Sequence, residues 1–195
     1  MKLAFLGHRP GDEYGALAAR AAEAGHMACF VARPVFARVG ASAEDCFGYW
    51  ETPRLFIHTP RTWLPVGEHW PFDSDAAWKG SEFFSRPRAS EVVRDAGFSR
   101  VDAVVMSDFG MPHLVRAFQA RKLLVTLEER PSRGPRVVRS RLGEMVRDAD
   151  VVLAGSESAD RYAEGCRAEK IVDWSPTQDD AFAALLALAS EGDGA

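Results

Sequence analysis

The chain has 195 residues, of which 47% are hydrophobic and 27% are charged, and its formal net charge is −4. This size and composition suit one globular domain with a single core and exclude a disordered chain. The acidic balance offers nucleic acid no general attraction, and no apolar run approaches the roughly 20 residues that cross a bilayer.

The beginning of the chain predicts a β-α-β unit. The sequence KLAFLG indicates a buried strand, Asp12 to Glu23 an alanine-rich helix that ends at Gly25, and MACFVA a second strand.

The segment from Arg33 to Arg88 interrupts this alternation. It holds six of the eleven prolines and four of the five tryptophans, with one clear strand, RLFIH, and a candidate helix from Ala76 to Phe84. One interpretation is an aromatic platform over an acceptor, because flat rings stack on sugar faces. The favoured interpretation is an irregular insertion, at about 33–88, whose own aromatic residues pack it onto the sheet. The tryptophans concerned are Trp50, Trp63, Trp70 and Trp78.

From Val101 onward, strands and helices alternate again. Strands are predicted at VDAVVM, KLLVTL, DVVLAG and KIVDW, and helices at Met111–Arg121, Pro135–Asp148, Glu157–Gly165 and Asp179–Ser190. Short strands joined by helices form parallel sheets that are covered on both faces. Residues 1–195 are therefore expected to form one α/β domain, a Rossmann-like doubly wound parallel sheet with helices on both faces.

The loop after the first strand carries three glycines, Gly7, Gly11 and Gly15. Their spacing differs from the G-x-G-x-x-G fingerprint of dinucleotide sites, so neither NAD, FAD nor any other cofactor is expected. Glycines bring a ligand close to the backbone and leave amides at the helix start for hydroxyls or an anion. They serve equally to form the tight turn that joins strand to helix. Under the first interpretation Gly7, His8, Gly11 and Asp12 bind the ligand.

A metal-dependent hydrolase is an alternative for the same loop. The stretch HRPGDE, with His8, Asp12 and Glu13, resembles the HPDDE loop of zinc-dependent N-acetylglucosamine deacetylases. Imidazole and carboxylate groups bind zinc, and a second carboxylate can act as base toward metal-bound water. However, an inserted residue separates the histidine from the acids, and only MPHL, around His113, matches the later HPDH-like element. No metal site is predicted.

Polar residues follow the predicted strands of the second half. Carboxyl ends of parallel strands share one edge of a sheet, where ligands bind. Carboxylates there accept hydrogen bonds from sugar hydroxyls or act as a base toward an acceptor, and Asp108 and Glu128 are the candidates for this catalytic role. These acids fit solvated loop positions equally well. The other candidate ligand-binding residues are Ser107, Glu129, Arg130, Ser156 and Glu157. For Ser156, an N-cap of the helix that begins at Glu157 is the favoured role.

The second half also resembles a known family. The stretches VDAVVMSDFG, KLLVTLEERP, RDADVVLAGSES and KIVDWSP follow, in order and spacing, the amino-terminal domain of GT-B glycosyltransferases of the retaining family 4 type. The opening unit, with AAEAGHMACFVA, resembles that domain as well, whereas the middle of the chain does not. The resemblance implies a Rossmann-like domain that binds a sugar or another small-molecule acceptor.

The departures from that family bear on activity. Two family histidines, after the fourth strand and in a TLHD element, fall near Ser107 and on Glu128. A GT-B enzyme also needs a second domain that binds the nucleotide sugar. The expected function is therefore an acceptor-binding domain, inactive alone, that works with a donor-domain subunit or as a homo-oligomer. A non-catalytic Rossmann domain that binds a small ligand or partner is the second alternative.

Six arginines cluster in and before one predicted helix: Arg130, Arg133, Arg136, Arg139, Arg141 and Arg147. Such a face could meet the phosphates of a lipid-linked acceptor or of a membrane surface. A solvated helix face that pairs with Glu144 and Asp148 is the favoured interpretation.

The three cysteines, Cys29, Cys46 and Cys166, are widely spaced. The spacing indicates neither a disulfide framework nor a zinc ribbon. No secretory signal is visible, so a reducing cytoplasm is the expected location.

Overall fold

The computed structural model of the protein describes residues 1–7, 11–32, 35–36, 48–62, 88–107, 112–128 and 136–191. The strands are β1 (Lys2–Gly7), β2 (Met27–Ala32), β3 (Val35–Phe36), β4 (Tyr49–Thr52), β5 (Leu55–His58), β6 (Arg61–Thr62), β7 (Arg100–Met106), β8 (Gln119–Leu127), β9 (Val151–Ala154) and β10 (Ile171–Asp173). The α-helices are α1 (Glu13–Glu23), α2 (88–95), α3 (Arg136–Asp148), α4 (Glu157–Gly165) and α5 (Ala181–Ser190), and Pro112–Ala117 form a 3-10 helix.

Eight of these strands form one sheet in the order β10-β9-β8-β7-β1-β2-β5-β4. Neighbouring strands are parallel, except that β4 pairs antiparallel with β5 at one edge. Among the parallel strands, chain order runs outward from β1 in both directions, so the strand order reverses between β1 and β7. Ligands of doubly wound sheets bind beyond the carboxyl ends of the strands at such a reversal. The predicted α/β fold class is confirmed.

Hydrophobic layers cover both faces of the sheet. The first layer includes Leu17 of α1 and Leu185 of α5, and the second includes Val93 of α2 and Leu142 of α3. Side chains of the central strands alternate between the layers, as expected for a sheet buried on both faces. A fully buried Leu or Phe contributes about 1.5–3 kcal/mol relative to an exposed one. The sheet is thus a rigid base for the loops at its ends.

Three helices that lead back to the sheet end in the same kind of turn. The residue after the helix cap has a positive φ in each: +94° at Gly25, +81° at Gly97 and 64° at Arg167. After α4, the amide of Ala168 donates to the carbonyl of Ala163 at 3.0 Å, the 6→1 bond of a Schellman motif. Glycine adopts this conformation at no steric cost, whereas Arg167 is strained there.

The predicted helix at Met111–Arg121 is wrong. A 3-10 helix occupies Pro112–Ala117, and β8 already begins at Gln119. Arg100 of β7 pairs with Gln119, so pairing between strands satisfies backbone groups that a continued helix would have bonded internally. The other predicted helices and strands of this half are found, with α4 at the predicted bounds.

Within the segment at about 33–88, the structure confirms the strand predicted at RLFIH as β5. It also contains β4, which the sequence did not predict, while the candidate helix at 76–84 lies outside the described residues. Trp50 is 44% exposed. The centroid of its ring lies 5.4 Å from the ring centroid of Phe56 and 5.9 Å from that of Phe98. Trp50 therefore packs onto the edge of the sheet, whereas Trp63, Trp70 and Trp78 lie outside the described part.

Candidate functional site

The carboxyl edge of the sheet brings together several of the predicted site residues. Leu6 of β1 pairs with Met106 of β7, and the Ser107 amide donates to the Leu6 carbonyl at 3.0 Å. Gly7 and Ser107 are therefore neighbours at the point where the strand order reverses. The parallel register makes this the centre of the edge.

Gly7 lies under a carboxylate and an aromatic ring. A Cβ atom at Gly7 would meet Asp12 Oδ2 at 2.9 Å and Phe30 Cε2 at 2.8 Å, closer than real Cβ atoms approach. The Oδ1 atom of Asp12 accepts a hydrogen bond of 2.8 Å from the Gly15 amide and so caps α1. The packing of Phe30 and Asp12 thus favours glycine at Gly7 and places the Asp12 carboxylate over the end of β1.

Gly11 has a different environment from Gly7. A Cβ atom at Gly11 would meet no heavy atom within 4 Å. A groove of about 190 Å³ opens here between the start of α1 and the sheet. Its lining residues are Gly11, Asp12, Gly15, Ala16, Ala19, Phe30, Glu51, Leu55 and Ile57. Gly11 and Asp12 therefore lie beside open space that a ligand can enter.

Ser107 is a buried polar residue at the centre of the edge. It is only 1% exposed, and among the described residues its hydroxyl oxygen has no hydrogen-bond partner. One strand further, Thr126 of β8 bonds to the hydroxyl of Tyr14 on α1 and donates to the Met106 carbonyl at 3.3 Å. The sequence did not predict this Tyr14–Thr126 pair, because nothing local indicates that α1 reaches across to β8.

Glu128 and Ser156 meet at the next pair of strands. The Ser156 hydroxyl donates to the Glu128 carbonyl at 2.8 Å and accepts a bond of 3.3 Å from the Ala159 amide. The predicted N-cap role of Ser156 is confirmed. Glu128 is exposed at the edge, and Glu157 on α4 pairs with Arg161. The structure thus places Ser156 against Glu128, whereas Glu157 points its charge toward its own helix.

Sequence reasoning missed His58, which ends β5 on the same edge. The side chain is 0% exposed, and neither ring nitrogen has a hydrogen-bond partner among the described residues. Burial, and secondarily the charge of Arg88, lowers the pKa of His58 from its ordinary 6.5 to about 4. The ring is therefore neutral at pH 7. The sequence showed a strand here but gave no sign of what surrounds its last side chain.

Four predicted site residues, His8, Asp108, Glu129 and Arg130, lie outside the described residues. Within the described ranges, no three His, Cys, Asp or Glu side chains are grouped as metal ligands would be. His113, part of the deacetylase-like pattern, is buried in the 3-10 helix at 3% exposure.

Two of the clustered arginines on α3 form ion pairs with neighbouring acids. Arg141 lies 2.9 Å from Glu144, and Arg147 lies 3.1 Å from Asp148. The predicted pairing of this helix face with Glu144 and Asp148 is confirmed for these two arginines. In the described part of the chain, no helix combines the length and the apolar character needed to cross a membrane.

Comparison with solved structures identifies where else this fold occurs. A sucrose-phosphate synthase chain from Thermosynechococcus elongatus aligns over 96% of this chain and 95% of its own, with a TM-score of 0.56 and 13% identity. The fold is shared with GT-B glycosyltransferases. Arabidopsis thaliana UGT89C1, complexed with UDP-L-rhamnose, aligns over 90% of this chain with a TM-score of 0.50 and 13% identity.

The extent of these matches limits what is shared. This chain spans about half the length of the Arabidopsis protein, 51%. No protein-family model matches the sequence, and no curated protein matches it significantly. At 13% identity the likeness is one of fold alone.

Proposed function

We propose that the chain is a glycosyltransferase-like domain that binds a sugar or another hydroxyl-bearing acceptor at the carboxyl edge of its sheet. The proposal includes a division of labour, in which a donor-binding domain or partner supplies the nucleotide sugar. The GT-B fold supports the type of protein, and the match to half of the Arabidopsis enzyme supports the division. That enzyme holds UDP-L-rhamnose, a nucleotide sugar of the kind the second domain would supply.

The observation that carries the proposal is the buried Ser107 hydroxyl beside Gly7. Buried polar groups almost always have hydrogen-bond partners. A hydroxyl that has none among the described residues, at a strand-order reversal, therefore supports a ligand site there. A serine hydroxyl both donates and accepts, which matches the hydroxyl groups of a sugar.

The acids at the same edge supply the chemistry in this proposal. Glu128 is exposed beside Ser156, and Asp108 directly follows Ser107 in the chain. A carboxylate close to an acceptor hydroxyl acts as a base and removes its proton while the hydroxyl oxygen attacks the anomeric carbon of the sugar donor. The bond from that carbon to the nucleotide breaks, and the nucleoside diphosphate leaves. The proposal gives this role to Asp108 or Glu128, and it gives the binding role to Gly11, Asp12 and Ser107.

Two glycine substitutions test the location of the acceptor. Gly11→Trp fills the groove beside α1, whereas Gly165→Trp places the same ring at the end of α4, and a Cβ at either position meets nothing within 4 Å. Binding of a panel of monosaccharides and disaccharides is measured by calorimetry, with circular dichroism to confirm folding. We expect Gly11→Trp to weaken binding at least tenfold and Gly165→Trp to leave it unchanged. Equal binding by the two variants would contradict the proposed location.

Turnover tests the division of labour. The isolated chain is expected to transfer no sugar from UDP-glucose to any acceptor of the panel, because it contributes only the acceptor site. Release of UDP in step with product, by this chain alone, would refute the need for a donor-binding domain.

A further inference from the structure

His58 lies where the pairing of β2 with β5 is interrupted. Val31 pairs with His58, and the parallel ladder resumes where Val35 of β3 pairs with Arg61 of β6. Three residues separate the paired positions on the first strand and two on the second. Irregular pairing of this kind occurs next to binding sites, where it redirects a side chain. His58 is the last regular residue before this break.

The imidazole is fully enclosed, and it has no hydrogen-bond partner in the part of the chain that the structure describes. Its exposed fraction is 0%, and the described residues provide neither Nδ1 nor Nε2 with a hydrogen bond. A buried polar group without a partner destabilises the fold, so folded proteins rarely retain one. A functional role explains why a residue with this free-energy cost is present, and the position at the carboxyl edge supports ligand binding as that role.

The residues around His58 determine the protonation state of its ring. Side chains alternate along a strand, so His58 lies on the face of Phe56, whose cluster includes Ala89 and Val93 of α2. Arg88 begins this part of α2, and its charge acts on His58. Apolar packing and a nearby cation both disfavour a protonated ring. A neutral imidazole presents one N–H donor and one bare nitrogen acceptor.

We propose that His58 is a ligand-binding residue whose neutral imidazole hydrogen-bonds to a hydroxyl group of the acceptor. This inference rests on the proposed function and names a contact that the sequence did not indicate. A hydroxyl accepts from the N–H or donates to the bare nitrogen, whereas a carboxylate or phosphate can only accept. A hydroxyl therefore suits either ring nitrogen, whereas an anion can bond only to the nitrogen that carries the proton.

The stability of the free protein tests whether the ring lacks a structural partner. His58→Leu replaces the imidazole with an apolar side chain of similar size, and Thr126→Val makes the same kind of change at a buried polar residue that has partners. We expect the melting temperature of His58→Leu at pH 7 to equal or exceed that of the wild type, and that of Thr126→Val to fall by several degrees. A fall for His58→Leu as large as that for Thr126→Val would show that a bound water or protein group satisfies the ring, and would overturn the inference.

Saccharide binding tests the contact itself. With the panel of monosaccharides and disaccharides, we expect His58→Leu to weaken binding at least tenfold, while His58→Gln, which keeps a donor and an acceptor, retains part of the affinity. Equal affinities of wild type and His58→Leu would overturn the inference and leave the proposed function intact. Absence of binding by the wild type would overturn the proposed function, and with it the inference that rests on it.

Discussion

The two edges of the sheet differ in whether their described polar groups have hydrogen-bond partners. At the amino edge, Asp102 accepts a hydrogen bond of 2.7 Å from the Lys2 amide, and Asp150 accepts one of 2.7 Å from the Leu123 amide. At the carboxyl edge, Ser107 and His58 are buried with polar atoms that no described residue satisfies. Asp102 and Asp150 at the first edge thus form hydrogen bonds within the chain, whereas Ser107 and His58 at the second have polar atoms with no partner among the described residues.

Two charged side chains of the amino edge also donate hydrogen bonds within the chain. Lys2 donates through Nζ to the Gly97 carbonyl at 3.0 Å, and Arg100 donates to the side chain of Gln119 at 3.3 Å. These groups are exposed, so water forms the hydrogen bonds that the protein does not provide. A hollow of about 320 Å³ lies among them, but its lining has no buried polar atom left without a partner. This difference between the edges supports the proposal that ligands bind at the carboxyl edge.

The largest expected effect concerns His58 and pH. The pKa of His58 is about 4 in the folded protein against an ordinary value of 6.5. Between these values the unfolded chain binds a proton that the folded protein does not, so stability falls as the pH falls from 6.5 to 4. The difference amounts to about 3 kcal/mol at this site. Urea unfolding at pH 6.5 and pH 4 measures it, and His58→Leu should lose about that much less than the wild type.

His26 provides the internal control for this measurement. Its pKa is lowered by burial, by the amino terminus and by Arg54, and it titrates in both proteins. Its contribution therefore cancels in the comparison of wild type with His58→Leu. Identical losses of stability in the two proteins would contradict the assignment of the pH dependence to His58.

A second prediction contrasts two glycines of the same loop at the carboxyl edge. Gly7→Ala forces the new methyl group against Phe30 and Asp12, whereas Gly11→Ala projects into open space. Overpacking of this kind costs about 1–3 kcal/mol, so we expect Gly7→Ala to destabilise the protein by that amount. Gly11→Ala should change the free energy of unfolding by less than about 0.5 kcal/mol. A Gly7→Ala protein as stable as Gly11→Ala would refute the close packing around Gly7.

The smallest effect is expected at the amino edge, where Arg167 occupies a position that favours glycine. Arg167→Gly relieves the positive φ of 64°, as glycine already does at Gly25 and Gly97. The gain from removing this strain exceeds the extra entropy of glycine in the unfolded chain, and we expect about 0.5–1 kcal/mol of stabilisation. Thermal unfolding measures it. Because the change is remote from the carboxyl edge, saccharide affinity should stay the same. A large change in affinity would contradict the proposal that saccharides bind at the carboxyl edge alone.

Local patterns in the sequence predicted the regular elements well. The bounds of α4 follow from Ser156 as N-cap and from the polar and small residues between Glu157 and Gly165. The start of β8 was not predictable in the same way, because its first residues are exposed and fit a helix equally well. Only pairing with β7 makes them a strand. The helix α2 was also missed, although Ala89 and Val93 are spaced by one turn and Gly97 marks its end.

Some features of the site were also predictable from the local sequence, whereas others depend on contacts between distant parts of the chain. Residues directly after strands were predictable as members of the carboxyl edge, because parallel strands place their ends together. The register that makes Gly7 and Ser107 neighbours depends on strand order, which the sequence did not specify. The burial of the His58 ring depends on residues from other elements, so no local pattern could reveal it.

The most direct test of the account maps saccharide binding residue by residue. Amide chemical shifts are followed by NMR while the panel of saccharides is titrated into the ¹⁵N-labelled wild-type protein. The account predicts shifts at the carboxyl edge, at Gly7, Gly11, Ser107 and Glu128, and none at Lys2, Arg100 or Gln119 of the amino edge. Shifts confined to the amino edge, or no shifts with any saccharide, would contradict the claim that the carboxyl edge is the acceptor site.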